Sequence, residues 1–179
     1  KYAANARKQI GLRSIFNMLG PLTNPAAANR QLIGVYAPEL TEMFADALNL
    51  LGAKRALIVH GHDGLDEISV CAPTRVTELN DGQTRTYDIS AETFFGQLYP
   101  SEAIRGGTPA ENAGITHSVL AGKKGARRDI VLINAAAALM AAGRAADLEA
   151  GVEMAAAAID SGAAAKKLDA LAAFTRENA

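Results

Sequence analysis

QLIGVYAPELTEMFADALNLLGAKRALIVH, residues 31–60, is the stretch whose reading decides the fold. Gln31 to Tyr36 is a short apolar run bounded by loop residues, the pattern of a strand. From Pro38 to Leu51 the apolar positions Leu40, Met43, Phe44, Ala47, Leu48 and Leu51 recur at helical spacing, and Gly52 supplies a stop. Arg55 to His60 is then a second continuous apolar run, as required of a strand covered on both faces. Strand, amphipathic helix and buried strand make a crossover unit, so the class is α/β with a central mixed sheet flanked by helices.

Downstream, EISV (67–70), RVTEL (75–79) and QTRTYDI (83–89) have strand-like content, and Asn80-Asp81-Gly82 accepts a left-handed turn between the last two. A hairpin is expected there. Ser90 is placed to cap a short helix beginning at Ala91, and Thr108-Pro109 opens a helix over Pro109 to Leu120. Beyond Arg127 three helix-forming runs are divided by glycine-bearing breaks, with alanines spaced for close helix packing. Upstream, Tyr2 to Leu19 has helical spacing, and GPLTNPAAANR (20–30) ends it in a loop.

The 179 residues, 49% hydrophobic, suffice for a substantial core. A formal charge of −1, from 18 basic and 19 acidic residues, provides no global field toward nucleic acid or an anionic membrane. The single cysteine, Cys71, has no partner for an internal disulfide, and the alanine-rich runs are interrupted by charges. The expectation is a soluble, cytoplasmic protein acting on small molecules, without nucleic-acid or membrane partners. The chain opens at Lys1 on helix-like sequence without an initiator methionine, which suggests a piece of a longer parent.

HGHDGLDE (60–67) follows the second strand run, where open α/β sheets gather their ligands. Asp66 and Glu67 are hard oxygen donors suited to Mg2+, which one or two carboxylates commonly hold together with substrate phosphates. An Asp- and Gly-rich loop after a strand is equally the composition of a solvated turn. The sequence pattern leaves both readings open. His60 and His62 are too few for zinc, and His60 reads as a satisfied histidine at the core edge. A second polar group, Arg7, Arg13, Asn17, Asn24 and Arg30, surrounds the proline-bearing loop; an arginine there suits a carboxylate or a phosphate, and equally a solvated helix face. Neither a G-x-G-x-x-G turn, a Walker-type lysine loop nor a G-x-S-x-G elbow occurs.

Taken in order, ARKQIGLRSIFNMLGPLTNPA, QLIGVY, VHGHDGLDEIS, RGGTPAENA and LINAAAAL resemble the successive blocks of the anthranilate phosphoribosyltransferases. The resemblance implies transfer of the phosphoribosyl group of phosphoribosyl pyrophosphate to the amino group of anthranilate, with Mg2+ as the required ion, in tryptophan biosynthesis. By position it makes Asp66 and Glu67 the metal-holding pair, Arg7 the contact to the anthranilate carboxylate, and Gly20 and Pro21 part of the lining of the anthranilate path; it names no catalytic acid or base. It further implies that residues 1–30 are a remnant of a helical domain and hinge loop, and that residues 31–179 are an α/β domain incomplete on its N-terminal side. The family's glycine-rich pyrophosphate loop and its lysine- and asparagine-bearing substrate loops belong upstream of Lys1, so the chain by itself is expected to be inactive and its parent to be a homodimer. The competing readings are a relative of the pyrimidine nucleoside phosphorylases and a noncatalytic binding or oligomerisation module.

Overall fold

In the computed structural model, which describes residues 18–178, the crossover unit forms as its pattern requires. After a helical turn α1 (Leu19–Leu22), β1 (Arg30–Gly34) leads into helix α2 (Leu40–Leu50) and back to β2 (Arg55–Gly61), which lies parallel to β1 with Leu32 beside Leu57. α2 ends where Gly52, at φ +81°, donates its amide to Asn49 and lets Ala53 reach the carbonyl of Leu48. β2 is the most enclosed strand: Leu57, Ile58 and Val59 are buried, each burial worth roughly 1.5–3 kcal/mol. Ile58 packs with Phe44, Ala45 and Leu48 on the α2 side of the sheet, whereas Leu57 and Val59 pack against Ile133, Ala136 and Ala137 on the other.

β3 (Thr74–Asn80) and β4 (Gln83–Ile89) extend the sheet antiparallel, in the order β1-β2-β3-β4. Asn80 pairs with Gln83, so the hairpin loop is Asp81-Gly82, with both residues at positive φ (45° and 86°). This is the primed turn that the right-handed twist of a hairpin favours.

The remaining helices are α3 (Glu92–Phe95), α4 (Pro109–Leu120), α5 (Ala126–Ala141), α6 (Leu148–Asp160) and α7 (Ala163–Glu177), with a short 3-10 turn at Ser101–Ile104. Thr108 and Glu111 close a reciprocal capping box at the start of α4. α5 covers one face of the sheet, and α6 crosses it where Gly151 meets the backbone of Ala136, a contact that only small residues permit. Arg30 at the start of β1 donates to the carbonyl of Ala141 at the end of α5 (3.2 Å), so α5 runs opposite to β1. Its first turns lie toward the end of the sheet where β2 terminates.

Three local expectations are corrected. EISV is not a strand: residues 67–70 run as irregular backbone without a ladder partner. Gly20 and Pro21 sit in the helical turn α1, which is too short for a missing amide hydrogen to break. α3 starts at Glu92 with Ala91 in the cap position, because Ala91 is drawn into the core; Ser90 still accepts from the Glu92 amide at 3.3 Å. The helical reading of Tyr2 to Leu19 falls almost wholly outside the described residues.

Candidate metal and substrate site

The loop from His62 to Pro73 leaves the carboxyl-terminal end of β2 and returns into β3. Its shape comes from a small set of polar bonds. Asp63 Oδ2 accepts from the buried Ser69 hydroxyl at 2.6 Å, and the Ser69 oxygen accepts in turn from the amides of Cys71 (2.9 Å) and Ala72 (3.3 Å). Ser69 also donates its own amide to Thr74 Oγ1 at 2.9 Å. Leu65 and Gly61 close the turn through a 2.8 Å backbone bond, and Gly64 takes positive φ. Asp63 and Gly64 therefore shape the turn, as their residue types suggest.

Asp66 and Glu67 lie at a bend in this loop, and both are exposed. The carbonyl of Asp66 abuts Gly34 at the end of β1. On the far side, Ile68 is fully buried and its backbone is held by the side-chain amide of Asn134 on α5. The Glu67 carboxyl is pushed up from its ordinary value, first because the surrounding chain crowds water away from it, then by the negative charges of Asp66 and Asp63. A cation at the pair would relieve that repulsion.

The donor set fits Mg2+ in a particular way. Among the described residues no three His, Cys, Asp or Glu side chains assemble into a closed metal cage. Two adjacent exposed carboxylates instead match an ion that keeps its waters and shares a phosphate-bearing substrate.

His60 and His62 are engaged with other partners. His60 is buried, with Nδ1 2.8 Å from the carbonyl of Val35, and His62 Nε2 lies 3.1 Å from Asp88. The Cys71 thiol is pushed up by burial and by Asp63, the opposite of an activated nucleophile. Glu78, the buried carboxylate of the sheet, is occupied by Arg55, Arg85 and Tyr87.

Arg7, with Arg13 and Asn17, lies outside the described residues. Gly20 is exposed, and Pro21 borders a cavity of about 250 Å³ together with Asn24, Gln31, Leu48 and Gly52. That cavity lies by the start of β1 and the end of α2 and shares no residue with the acidic loop. Asn134, Ser69 and Gly34 all contact the acidic loop; each lies in a block that carries the family resemblance, but none forms a chemical motif by itself. For Asn134 the signal was a lone amide beside Ile133, Ala136 and Ala137, on a helix face that has to be buried.

Comparison with known proteins agrees along the chain. A curated anthranilate phosphoribosyltransferase of Desulfosudis oleivorans is 65% identical over 179 residues, covering 99% of this chain and 53% of that protein. The one of Syntrophobacter fumaroxidans is 60% identical over 178 residues, with the same coverage. The chain thus spans about half the length of the curated relatives it matches. Among solved structures, the anthranilate phosphoribosyltransferase of Thermus thermophilus superposes with a TM-score of 0.87 at 40% identity, over 97% of this chain and 51% of that one. The Saccharomyces cerevisiae enzyme in complex with PRPP and Mg gives 0.82 at 29% identity, over 93% and 48%. The model of the glycosyl transferase family, a/b domain, matches residues 1–165. With its sheet, its acidic strand-end loop and every helix but the last inside that match, the chain belongs to the glycosyl transferase family and carries its a/b domain.

Proposed function

We propose that this chain is the C-terminal portion of an anthranilate phosphoribosyltransferase and carries that enzyme's acidic, metal-holding loop. The observation that supports it most is the exposed pair Asp66 and Glu67 at the end of β2, in a chain 65% identical to such an enzyme. The Saccharomyces cerevisiae neighbours were solved with PRPP and Mg and with 4-fluoroanthranilate, which supports the same substrates here.

In this reading Asp66 and Glu67 hold Mg2+ against the pyrophosphate of phosphoribosyl pyrophosphate. The ion, when bound, stabilises the negative charge that gathers on the leaving pyrophosphate as the bond to the sugar breaks. The two carboxylates then need no proton-transfer role. The amine of anthranilate is already a nucleophile, so orientation contributes more than a base. Arg7 is assigned to the anthranilate carboxylate, and Gly20 and Pro21 to the path by which anthranilate enters. Residues 1–30 belong in the same reading to a helical domain and hinge, and the parent is a cytoplasmic homodimer. Among the described residues no helix is long and apolar enough to cross a membrane.

The test uses the full-length parent with phosphoribosyl pyrophosphate and anthranilate. Asp66→Ala with Glu67→Ala is expected to weaken Mg2+-dependent turnover, and Arg7→Ala to raise the KM for anthranilate with a smaller change in kcat. A parent that forms no phosphoribosylanthranilate, or a double variant with unchanged Mg2+ dependence, would remove the assignment.

A further inference from the structure

The acidic pair is followed by a residue that is paired like a strand residue but has no strand beside it. Ile68 donates its amide to Asn134 Oδ1 at 2.9 Å and accepts at its carbonyl from Asn134 Nδ2, also at 2.9 Å. One side-chain amide thus supplies both bonds that a neighbouring strand would make to this residue. The second hydrogen of Nδ2 goes to the carbonyl of Ile130, one turn back on α5, at 2.9 Å. These three bonds fix the amide's orientation: turned over, Oδ1 would face two carbonyl oxygens and Nδ2 would face an N–H.

This clasp sits immediately beside Glu67, and the Ile68 side chain is fully buried in the core that α5 shares with β2. On the other flank, the Asp66 carbonyl rests against Gly34. The two exposed carboxylates therefore project from a two-residue bend that is pinned at both ends, at one end by a helix 66 residues away in sequence. A bend in open solvent would otherwise sample many directions, and an ion shared by two carboxylates needs one.

We infer that Asn134 is a positioning residue for the Asp66–Glu67 pair, fixing the direction in which the carboxylates project and so the site's affinity for a divalent cation carrying pyrophosphate. The inference rests on the reading given under Proposed function, but its test can fail separately. It uses the full-length parent, with Mn2+ plus inorganic pyrophosphate as the probe. In the wild-type protein, coupling between the two places is reciprocal, so saturating Mn2+ and pyrophosphate slow hydrogen exchange at the Ile68 amide while leaving that of Leu79 unchanged. In Asn134→Leu, Ile68 exchanges faster, the dissociation constant for Mn2+ measured by electron paramagnetic resonance rises ~10-fold, and half-saturating Mg2+ for turnover rises in step. Asn134→Asp, nearly isosteric but presenting oxygen to two carbonyls, moves all three readouts the same way.

Faster Ile68 exchange with unchanged Mn2+ affinity in either variant would show a purely structural amide and overturn the inference. So would wild-type Ile68 exchange that ignores the ion, a measurement that stands even where neither variant folds. Failure of the functional reading looks different: the wild-type protein then binds Mn2+ and pyrophosphate no better than Asp66→Ala with Glu67→Ala, whatever residue 134 is.

Discussion

Gly34 and Asp66 touch backbone to backbone: a Cβ added to residue 34 would lie 1.5 Å from the Asp66 carbonyl oxygen and 2.5 Å from its carbon. No rotamer relieves such an overlap, since the obstacle is main chain. The last residue of β1 therefore sets how close the acidic loop comes to the sheet. Gly34→Ala is expected to push the loop outward at a cost of about 1–3 kcal/mol, read from denaturant unfolding. In the full-length parent the displaced pair should demand more Mg2+ for half-maximal turnover. A variant with wild-type stability would show that the loop gives way freely.

Ser69 carries the inner half of the same loop. Its oxygen accepts from two amides and its hydroxyl donates to Asp63, with Ser69 itself buried and its partners nearer the surface. Ser69→Ala leaves those groups without partners and is expected to lower stability by about 1–3 kcal/mol. Because the Cys71 amide is one of them, the turn should loosen around its half-buried thiol. Faster reaction of Cys71 with a disulfide reagent, at unchanged bulk folding, is the check; an unchanged rate would place the turn's rigidity elsewhere.

These two positions show how much the sequence discloses. The crossover unit was legible because a continuous apolar run, an amphipathic helix and Gly52 are local signals, and the hairpin because Asp81-Gly82 suits the turn that twisted strands require. EISV misled for a physical reason: Ile68 is buried and paired like a strand residue, but its partner is the side chain of Asn134. Periodicity cannot distinguish a ladder from an amide that imitates one. Asp66 and Glu67 were legible as oxygen donors at a strand end, while Gly34, Ser69 and Asn134 acquire their roles only when distant segments meet.

Tyr87 offers an optical test of the sheet's polar cluster. Its hydroxyl donates to Glu78 Oε2 at 3.2 Å, and its pKa is pushed up to about 12, first by burial and then by the Glu78 charge, with Arg85 opposing. An unfolded tyrosine titrates at ~10, so the folded value is the raised one. The stability Tyr87 contributes is fully present below pH ~10 and is lost as pH rises toward the folded value. Tyr99 is also pushed up, first by its hydrogen bond to Asp129, so ultraviolet titration should show late phenolate ionisation whose amplitude falls by one tyrosine in Tyr87→Phe. A mutant whose alkaline titration superposes on the wild type would assign that ionisation to other tyrosines.

Arg128 and Asp160 tie the start of α5 to the end of α6, and the sign of their pH dependence can be worked out in advance. The guanidinium is buried and donates from Nη1 and Nη2 to the two carboxylate oxygens at 2.7 and 2.9 Å, while Asp160 remains half exposed. Those hydrogen bonds hold the Asp160 carboxyl below its ordinary value, against a smaller upward push from burial. A depressed acid contributes stability above its unfolded pKa of ~3.9, and that contribution is lost as pH falls through the folded value. Asp160→Asn should therefore lower the melting temperature at pH 7, because it leaves a buried arginine without its counter-charge. The gap to wild type should begin to close below pH ~4, where the unfolded chain's carboxyl takes up a proton, and close fully once pH has passed the lower folded value. Melting curves that remain parallel across that range would mean the pair acts through shape and hydrogen bonding alone, with no contribution from the ionised acid.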